Sequence, residues 1–282
     1  LTTTEISNIA AYTATGGGNI TNDGGSEITS RGICWGLSEN PTIHDFYTVT
    51  SPDLGAYTCD LANLEPGKKY YVRAFATNVA GMAYGSNVTF TALPVLPKLT
   101  TAEITSITSN SAISGGDAFY DGGAAITAKG VCWSTSENPT ITDFHTNDGN
   151  GNGIYSSKIT GLEITTIYYV RAYATNSAGT SYGNELIFTS LDLNQISDID
   201  GNIYNIITIG SQNWIKENLK TTRYNDGSNI QIITDNTLWQ NSITPAYCWY
   251  NNDINYKSIY GAMYNWYTIN NNLCPLGWHV AS

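Results

Sequence analysis

The chain has 282 residues, with 23 Asp+Glu against 12 Lys+Arg and a formal net charge of −11. That balance excludes a nucleic-acid binder, which needs Lys and Arg to release counterions from phosphates, and it disfavours anionic membrane surfaces. Charged residues make up only 12% of the chain, about half the usual ~25%, and Thr, Ser, Asn and Gly replace them, which excludes a protein of long helices.

The length predicts two or three domains, and 41% apolar residues suffice for their cores. No apolar run approaches the ~20 residues that span a bilayer, so no membrane insertion is expected. The chain starts at Leu1 without a basic-then-apolar leader, which reads as a signal peptide already removed. A repeat organises the first two thirds. Arg31-Gly-Ile-Cys-Trp-Gly-Leu-Ser-Glu-Asn-Pro-Thr-Ile-His-Asp-Phe46 recurs from Lys129 to Phe144 with 11 of 16 positions identical, at an offset of 98. Tyr70-Tyr-Val-Arg-Ala-Phe-Ala-Thr-Asn-Val-Ala-Gly81 recurs from Tyr168 to Gly179 at the same offset, so no net insertion separates the blocks. The period is a whole domain. It predicts one domain over residues 1–93, a Pro-rich linker over 94–97, and a second domain over 98–191.

Each copy reads as β. Tyr70, Val72, Ala74 and Ala76 fall on one face of an extended strand, and Tyr71, Arg73, Phe75 and Thr77 on the other. Asn22-Asp-Gly-Gly25 and Asp121-Gly-Gly123 are turn clusters; Asn78-Val-Ala-Gly81 and Asn176-Ser-Ala-Gly179 are hairpin loops. Short strands with frequent turns predict an antiparallel sandwich for each copy. Leu64-Glu-Pro-Gly-Lys-Lys-Tyr70, followed by Tyr71-Val-Arg-Ala and Asn78-x-Ala-Gly81, resembles the fibronectin type III pattern, in which the Tyr after the turn forms a tyrosine corner. The second copy keeps Leu162 and Tyr168 but has Ile164-Thr165 in place of Pro66-Gly67. The Gly-(Ile/Val)-Cys-Trp and Ser-Glu-Asn-Pro-Thr blocks resemble a variant of surface proteins from Bacteroidetes-type bacteria.

Residues 192–282 differ in composition, holding 16 Asn and five of the seven Trp. Residues 260–269, Tyr-Gly-Ala-Met-Tyr-Asn-Trp-Tyr-Thr-Ile, are the best helix candidate of the chain. The segment resembles the Fibrobacter succinogenes major paralogous domain through Asp198-x-Asp-Gly-Asn-x-Tyr204, Ile209-Gly-Ser-Gln-Asn-Trp214, Glu217-Asn-Leu219 and Tyr224-Asn-Asp-Gly227. Pro245-Ala-Tyr-Cys-Trp-Tyr-Asn-Asn-Asp253, Tyr260-Gly-Ala-Met-Tyr-Asn-Trp-Tyr267 and Leu273-Cys-Pro-Leu-Gly-Trp-His-Val280 continue the likeness. The resemblance implies a C-terminal α+β domain of C-type lectin-like type, and an extracellular or cell-surface location. The whole chain is thus expected to be mostly β, with two tandem sandwiches ahead of that domain. The family pattern continues beyond Gly277-Trp-His-Val280, so an incomplete domain is expected, with Trp266, Tyr267 and Trp278 left uncovered unless a neighbour completes them.

In an exported chain Cys248 and Cys274 are expected to be bridged, closing a loop of about 25 residues. Cys34 and Cys132 occupy equivalent positions, but Cys59 has Ser157 as its counterpart, which predicts a buried thiol at Cys132 and by analogy at Cys34; a Cys34–Cys59 bridge stays open as the alternative. For ligand binding, Trp249, Tyr250, Asn252, Asp253 and Tyr256 are the candidates, because aromatic faces stack on sugars and Asn and Asp suit their hydroxyls. The competing reading puts each such Trp in the core. Asp198-x-Asp200-Gly-Asn202 and the Asn147–Gly153 run carry oxygen ligands, yet neither has EF-hand spacing, and turns are the favoured reading, with no metal. His44, His145 and His279 are scattered, and no nucleophile elbow or phosphate loop is present, so no catalysis and no cofactor are expected. The leading expectation is a non-enzymatic surface protein whose sandwiches form a stalk for a domain that binds a glycan or a surface protein. The alternatives are a structural subunit that self-associates through its C-terminal domain and an accessory module of a polysaccharide-degrading protein.

Overall fold

The computed structural model describes residues 1–269 and 272–281. In the first unit β1 (Thr2–Thr3), β2 (Ala14–Ile20) and β5 (Gly55–Leu61) form one sheet in the order β1-β2-β5. The facing sheet runs β4 (Phe46–Thr50), β3 (Ser30–Gly36), β6 (Lys69–Asn78), β7 (Gly81–Tyr84), with β8 (Val88–Thr91) continuing the edge along the start of β6. The alternation in β6 does what the sequence predicts: Tyr70, Val72, Ala74 and Ala76 are all buried between the sheets, packed with Ile33, Trp35, Leu61 and Phe90.

The second unit repeats this arrangement with β9 (Lys98–Thr101), β10 (Ser111–Tyr120) and β13 (Gly153–Thr160) facing β12 (Phe144–His145), β11 (Ala128–Ser134), β14 (Ile167–Asn176) and β15 (Gly179–Tyr182), with β16 (Leu186–Thr189) on β14. Register is preserved to the residue. Trp35 lies opposite Val72 and Phe46; Trp133 lies opposite Val170 and Phe144. Both indoles are buried, at 3% and 5% exposure, and both stack on the exposed Phe ring 6.0 Å away. Tyr70 accepts a hydrogen bond from the Glu65 amide at 2.9 Å, and Tyr168 one from the Glu163 amide at 3.0 Å. The tyrosine corner therefore forms in the second copy too, without the Pro-Gly turn. There Thr165 takes up the left-handed conformation (φ 52°) that Gly67 has in the first (φ 72°).

The thiols of Cys34 and Cys132 are buried and unbridged, each donating to a carbonyl of the Ser-Glu-Asn-Pro-Thr loop, Pro41 at 3.2 Å and Pro139 at 3.3 Å. Cys59 is also a buried free thiol, so the Cys34–Cys59 bridge is absent. The Asn147–Gly153 run is a turn. Its carbonyls at Asn152 and Gly153 face the buried Lys129 ammonium, each at 3.4 Å, which sits 5.1 Å from the Tyr155 ring. The side-chain oxygens of the run are spent locally, Asp148 accepting from the Thr146 and Ser157 hydroxyls and Asn147 from the Gly149 amide.

The linker is docked. Val95 N–H donates to the Gly122 carbonyl at 2.8 Å, and Asn176 Nδ2 donates to the Val95 carbonyl at 2.7 Å. The Pro66-Gly67 turn meets the Gly122-Gly123 turn backbone to backbone: a Cβ on Gly67 would lie 1.7 Å from the Gly123 carbonyl oxygen.

The C-terminal region consists of β17 (Gln195–Ser197), β18 (Ile203–Ile209) and β19 (Gln212–Ile215) in one sheet and β20 (Gln231–Ile232), β21 (Ala246–Trp249) and β22 (Ala262–Tyr264) in another, with helices α1 (Asn236–Asn241) and α2 (Lys257–Tyr260). Ser197 ties it to the second sandwich through its amide and hydroxyl, both donating to Ile107 carbonyl. The expected helix over 260–269 does not form. Gly261 (φ 69°) ends α2, and a Cβ there would lie 2.5 Å from the Leu219 carbonyl. The Ala262 amide then donates to Leu219 and the chain enters β22 instead.

A candidate ligand-binding face in the C-terminal region

β21 is the middle strand of its sheet, parallel to β20 and antiparallel to β22, and all four of its residues are buried. Tyr247 and Trp249 pack with Tyr224, Ile230 and Leu273. Trp249 is 5% exposed and meets Tyr247 edge-on at 5.3 Å, with the Lys257 ammonium 5.7 Å from its ring. It is a core residue, which corrects the expectation that it presents a stacking face.

The chain leaves the core at Tyr250. Asn251 and Asn252 adopt left-handed backbone conformations (φ 51° and 56°), which Asn tolerates better than most residues. Asn252 donates its side-chain amide to the Thr234 carbonyl at 2.8 Å, and the Asp253 carboxylate accepts from the Asn255 amide at 2.9 Å, capping the next turn. This double reversal brings Tyr250 beside Tyr256 (ring centroids 5.4 Å apart) and Tyr260 (4.7 Å), with Tyr256 and Tyr260 separated by 5.7 Å. Tyr250 and Tyr260 are 42% and 47% exposed, and Tyr256 is half-buried. The structure therefore gathers Tyr250 and Tyr256 of the expected set, uses Asn252 and Asp253 to shape the turn, and withdraws Trp249. It adds Tyr260, the last residue of α2, where the sequence predicts the start of a helix over 260–269. The four-residue spacing of Tyr256 and Tyr260 was the available signal. Three phenol rings offer apolar faces and hydroxyl edges in one patch.

An open groove of about 440 Å³ lies nearby, between β20 and α1, lined by Ile232, Thr234, Leu238 and Ile243 among others. Its lining residue Thr234 accepts, through its carbonyl, from Asn252 of the turn that carries Tyr250.

Cys248 and Cys274 are free, which corrects the expected bridge. Cys248 lies in the buried middle strand opposite Met263, while the Cys274 segment is tied to Asn225, whose side chain donates to the Cys274 carbonyl at 3.2 Å. Burial pushes both thiols up from their ordinary range, as for small apolar side chains. The Asp198–Tyr204 motif is a turn held by its own carboxylates. Asp198 accepts from the amides of Asp200 and Asn202, the Asn202 side chain, and the Tyr204 hydroxyl at 2.6 Å. Asp200 pairs with Arg223 at 2.6 Å and accepts from the Thr222 amide and hydroxyl. Burial works against the Asp200 charge, but these hydrogen bonds and the guanidinium outweigh it and hold the carboxyl below its usual range. The partners Thr222, Arg223 and Tyr264, whose hydroxyl donates to Thr221 carbonyl, were not foreseen. Among the described residues no group of three or more His, Cys, Asp or Glu is placed to hold a metal. No described helix is long and apolar enough to cross a membrane.

Of the three aromatics expected to lack a cover, Trp266 and Tyr267 are 78% and 48% exposed, whereas Trp278 is half-buried among the described residues. The short turn that carries Trp266 and Tyr267 is nonetheless anchored, since the buried Thr268 hydroxyl bridges the Ala246 amide and carbonyl, each at 2.8 Å.

No curated protein matches the chain. Among solved structures, the crystal structure of chicken CNTN1 FN1-FN3 domains is similar at 14% sequence identity, with a TM-score of 0.30 over 67% of this chain and 68% of that one. Residues 207–282, from within β18 onward and so beyond the Asp198–Tyr204 turn, match the family model of the Fibrobacter succinogenes major domain.

Proposed function

We propose that the chain is a non-enzymatic surface protein of the extracellular type, in which the two sandwiches act as a stalk and the C-terminal region, read as part of a C-type lectin-like fold, binds a glycan. The observation that carries this reading is the partly exposed cluster of Tyr250, Tyr256 and Tyr260 on a turn shaped by Asn252 and Asp253. Rings that already touch one another are held in place, so stacking a sugar on them orders little that was free. The docked linker supports the stalk role, because it fixes one sandwich on the next.

The test is a glycan array on the full chain, followed by titration of the best hit against Tyr250→Ala and Tyr260→Ala. Each substitution is expected to weaken binding at least about fivefold, the loss of one stacking contact of about 1–3 kcal/mol, by analogy with base stacking on aromatic rings. Absence of any array hit, or hits untouched by both substitutions, defeats the reading. Trp249→Ala is unsuitable as a site probe because its ring is in the core. The open Trp266 and Tyr267 surface favours a second reading, self-association through the C-terminal region. Sedimentation over a hundredfold concentration range, compared with Trp266→Ser, distinguishes it.

A further inference from the structure

The two sandwiches carry the same surface in two states. In the second, the Asp121-Gly122-Gly123 turn and the Asn176–Gly179 hairpin receive the segment that precedes the domain. Val95 N–H donates to Gly122 carbonyl, Asn176 Nδ2 donates to the carbonyls of Val95 and Asp121, both at 2.7 Å, and Ser181 hydroxyl donates to Pro97 carbonyl at 2.6 Å. Leu96 lies over the hairpin, 3.1 Å from where a Cβ on Gly179 would be, and Gly123 is covered by the Pro66-Gly67 turn of the first sandwich.

The first sandwich has the same surface 98 residues earlier. Gly24 and Gly25 have φ of 74° and 84°, against 75° and 84° for Gly122 and Gly123. Asn78 donates to Asp23 carbonyl at 2.7 Å, as Asn176 does to Asp121. Yet a Cβ on Gly25 or Gly81 would meet nothing within 4 Å, and Asn78 is half-buried where Asn176 is buried. An open cavity of about 320 Å³ takes the place of the linker, lined by Leu1, Ile20, Ile28, Asn78, Gly81 and Met82 among others. The first sandwich thus has the same preformed turn, and none of the described residues covers it.

We propose that this end of the first sandwich is a docking site for a further sandwich of the same repeat, entering by an extended, proline-bounded apolar segment of the Leu-Pro-Val-Leu-Pro type. The occupied copy dictates the chemistry. One N–H meets the carbonyl of Gly24, one carbonyl accepts from Asn78, a branched apolar side chain covers Gly81, and a Gly-containing turn of the incoming sandwich lies on Gly25. Proline after the apolar residue suits a position whose amide finds no partner in the filled site. Ser181 has Ala83 as its counterpart, so the joint at the first sandwich lacks one hydrogen bond.

The experiment places one extra copy of residues 1–98 ahead of Leu1 in the full chain, which keeps the 98-residue offset, so that tethering supplies the local concentration. The added linker carries Val95→Ile as a mass mark, and hydrogen exchange is read at single amides. The marked amide is expected to be protected to within about tenfold of the native Val95 amide, the difference one missing hydrogen bond makes. Asn78→Ala in the acceptor sandwich is expected to release the marked amide and leave native Val95 unchanged, while β3–β6 amides in the same run report that the acceptor is folded. A marked amide that exchanges at the unprotected rate in the extended chain, with native Val95 still protected, overturns the proposal without any variant.

Discussion

The sandwiches bury their indoles, and the C-terminal region leaves two of its own at the surface: Trp35 and Trp133 are almost fully covered, whereas Trp214 is partly exposed and Trp266 is among the most exposed large hydrophobic side chains. The difference lies in what closes each unit. A sandwich is closed by two facing sheets whose alternate residues meet, so an apolar side chain at the right parity is buried without further specification. The C-terminal region has small sheets of three strands, and much of its definition comes from buried carboxylates, hydroxyls and loop carbonyls, as around Asp198, Asp200, Tyr204 and Thr268. Polar networks of that kind specify position strongly but cover little apolar area.

The largest expected effect separates the two closures directly. Trp133→Ala should lower the stability of the second sandwich by about 3–5 kcal/mol, the usual loss for a large aromatic in a packed core. Trp266→Ala should change stability by no more than about 0.5 kcal/mol. Denaturant unfolding followed by fluorescence reads both, and equal losses would show that the exposed indole is packed in solution by something outside the chain.

A somewhat smaller effect tests the polar closure. Asp200→Ala should cost about 2–3 kcal/mol, since it strands the Arg223 guanidinium and the Thr222 amide. Acid should act by the same route. The Asp200 carboxyl is held below its ordinary range, so its contribution is present above the unfolded-state value and is lost as pH falls through the depressed one. The C-terminal transition of the native chain should weaken over that range, and Asp200→Ala should remove part of the dependence. An unchanged acid profile in the variant would sink this assignment.

The smallest effect compares the two corners. Tyr70→Phe and Tyr168→Phe each remove one hydrogen bond to a backbone amide and should cost about 1 kcal/mol apiece. If Tyr168→Phe costs nothing while Tyr70→Phe does, the corner in the copy lacking Pro-Gly is geometric only.

The same contrast explains what could be read from the residues. The repeat, its register, the buried Trp35 and Trp133, the hairpin at Asn78 and Gly81 and the Asx-Gly turns all follow from local periodicity and turn chemistry, which are written within a few residues. The C-terminal contacts are not. Arg223 reaches Asp200 from 23 positions further along the chain, beyond β18 and β19, and no spacing rule selects it. The failed helix over 260–269 had a local warning in Gly261, but the decisive fact was the distant Leu219 carbonyl lying where a Cβ would be. The tyrosine patch was half legible, since Tyr250 and Tyr256 stood out beside the Asn run, whereas Tyr260 joined them only through the left-handed pair at Asn251 and Asn252.

All five cysteines are buried thiols, and burial pushes Cys34 up to about 11 and Cys132 to about 12. Thiolate is the species that oxidants and alkylating agents attack, and near neutral pH these groups supply almost none of it. Burial and a raised pKa therefore both work against reaction of these thiols in the native fold. Cysteine content, which in small exported domains often signals cross-linking, here goes with packing inside the cores.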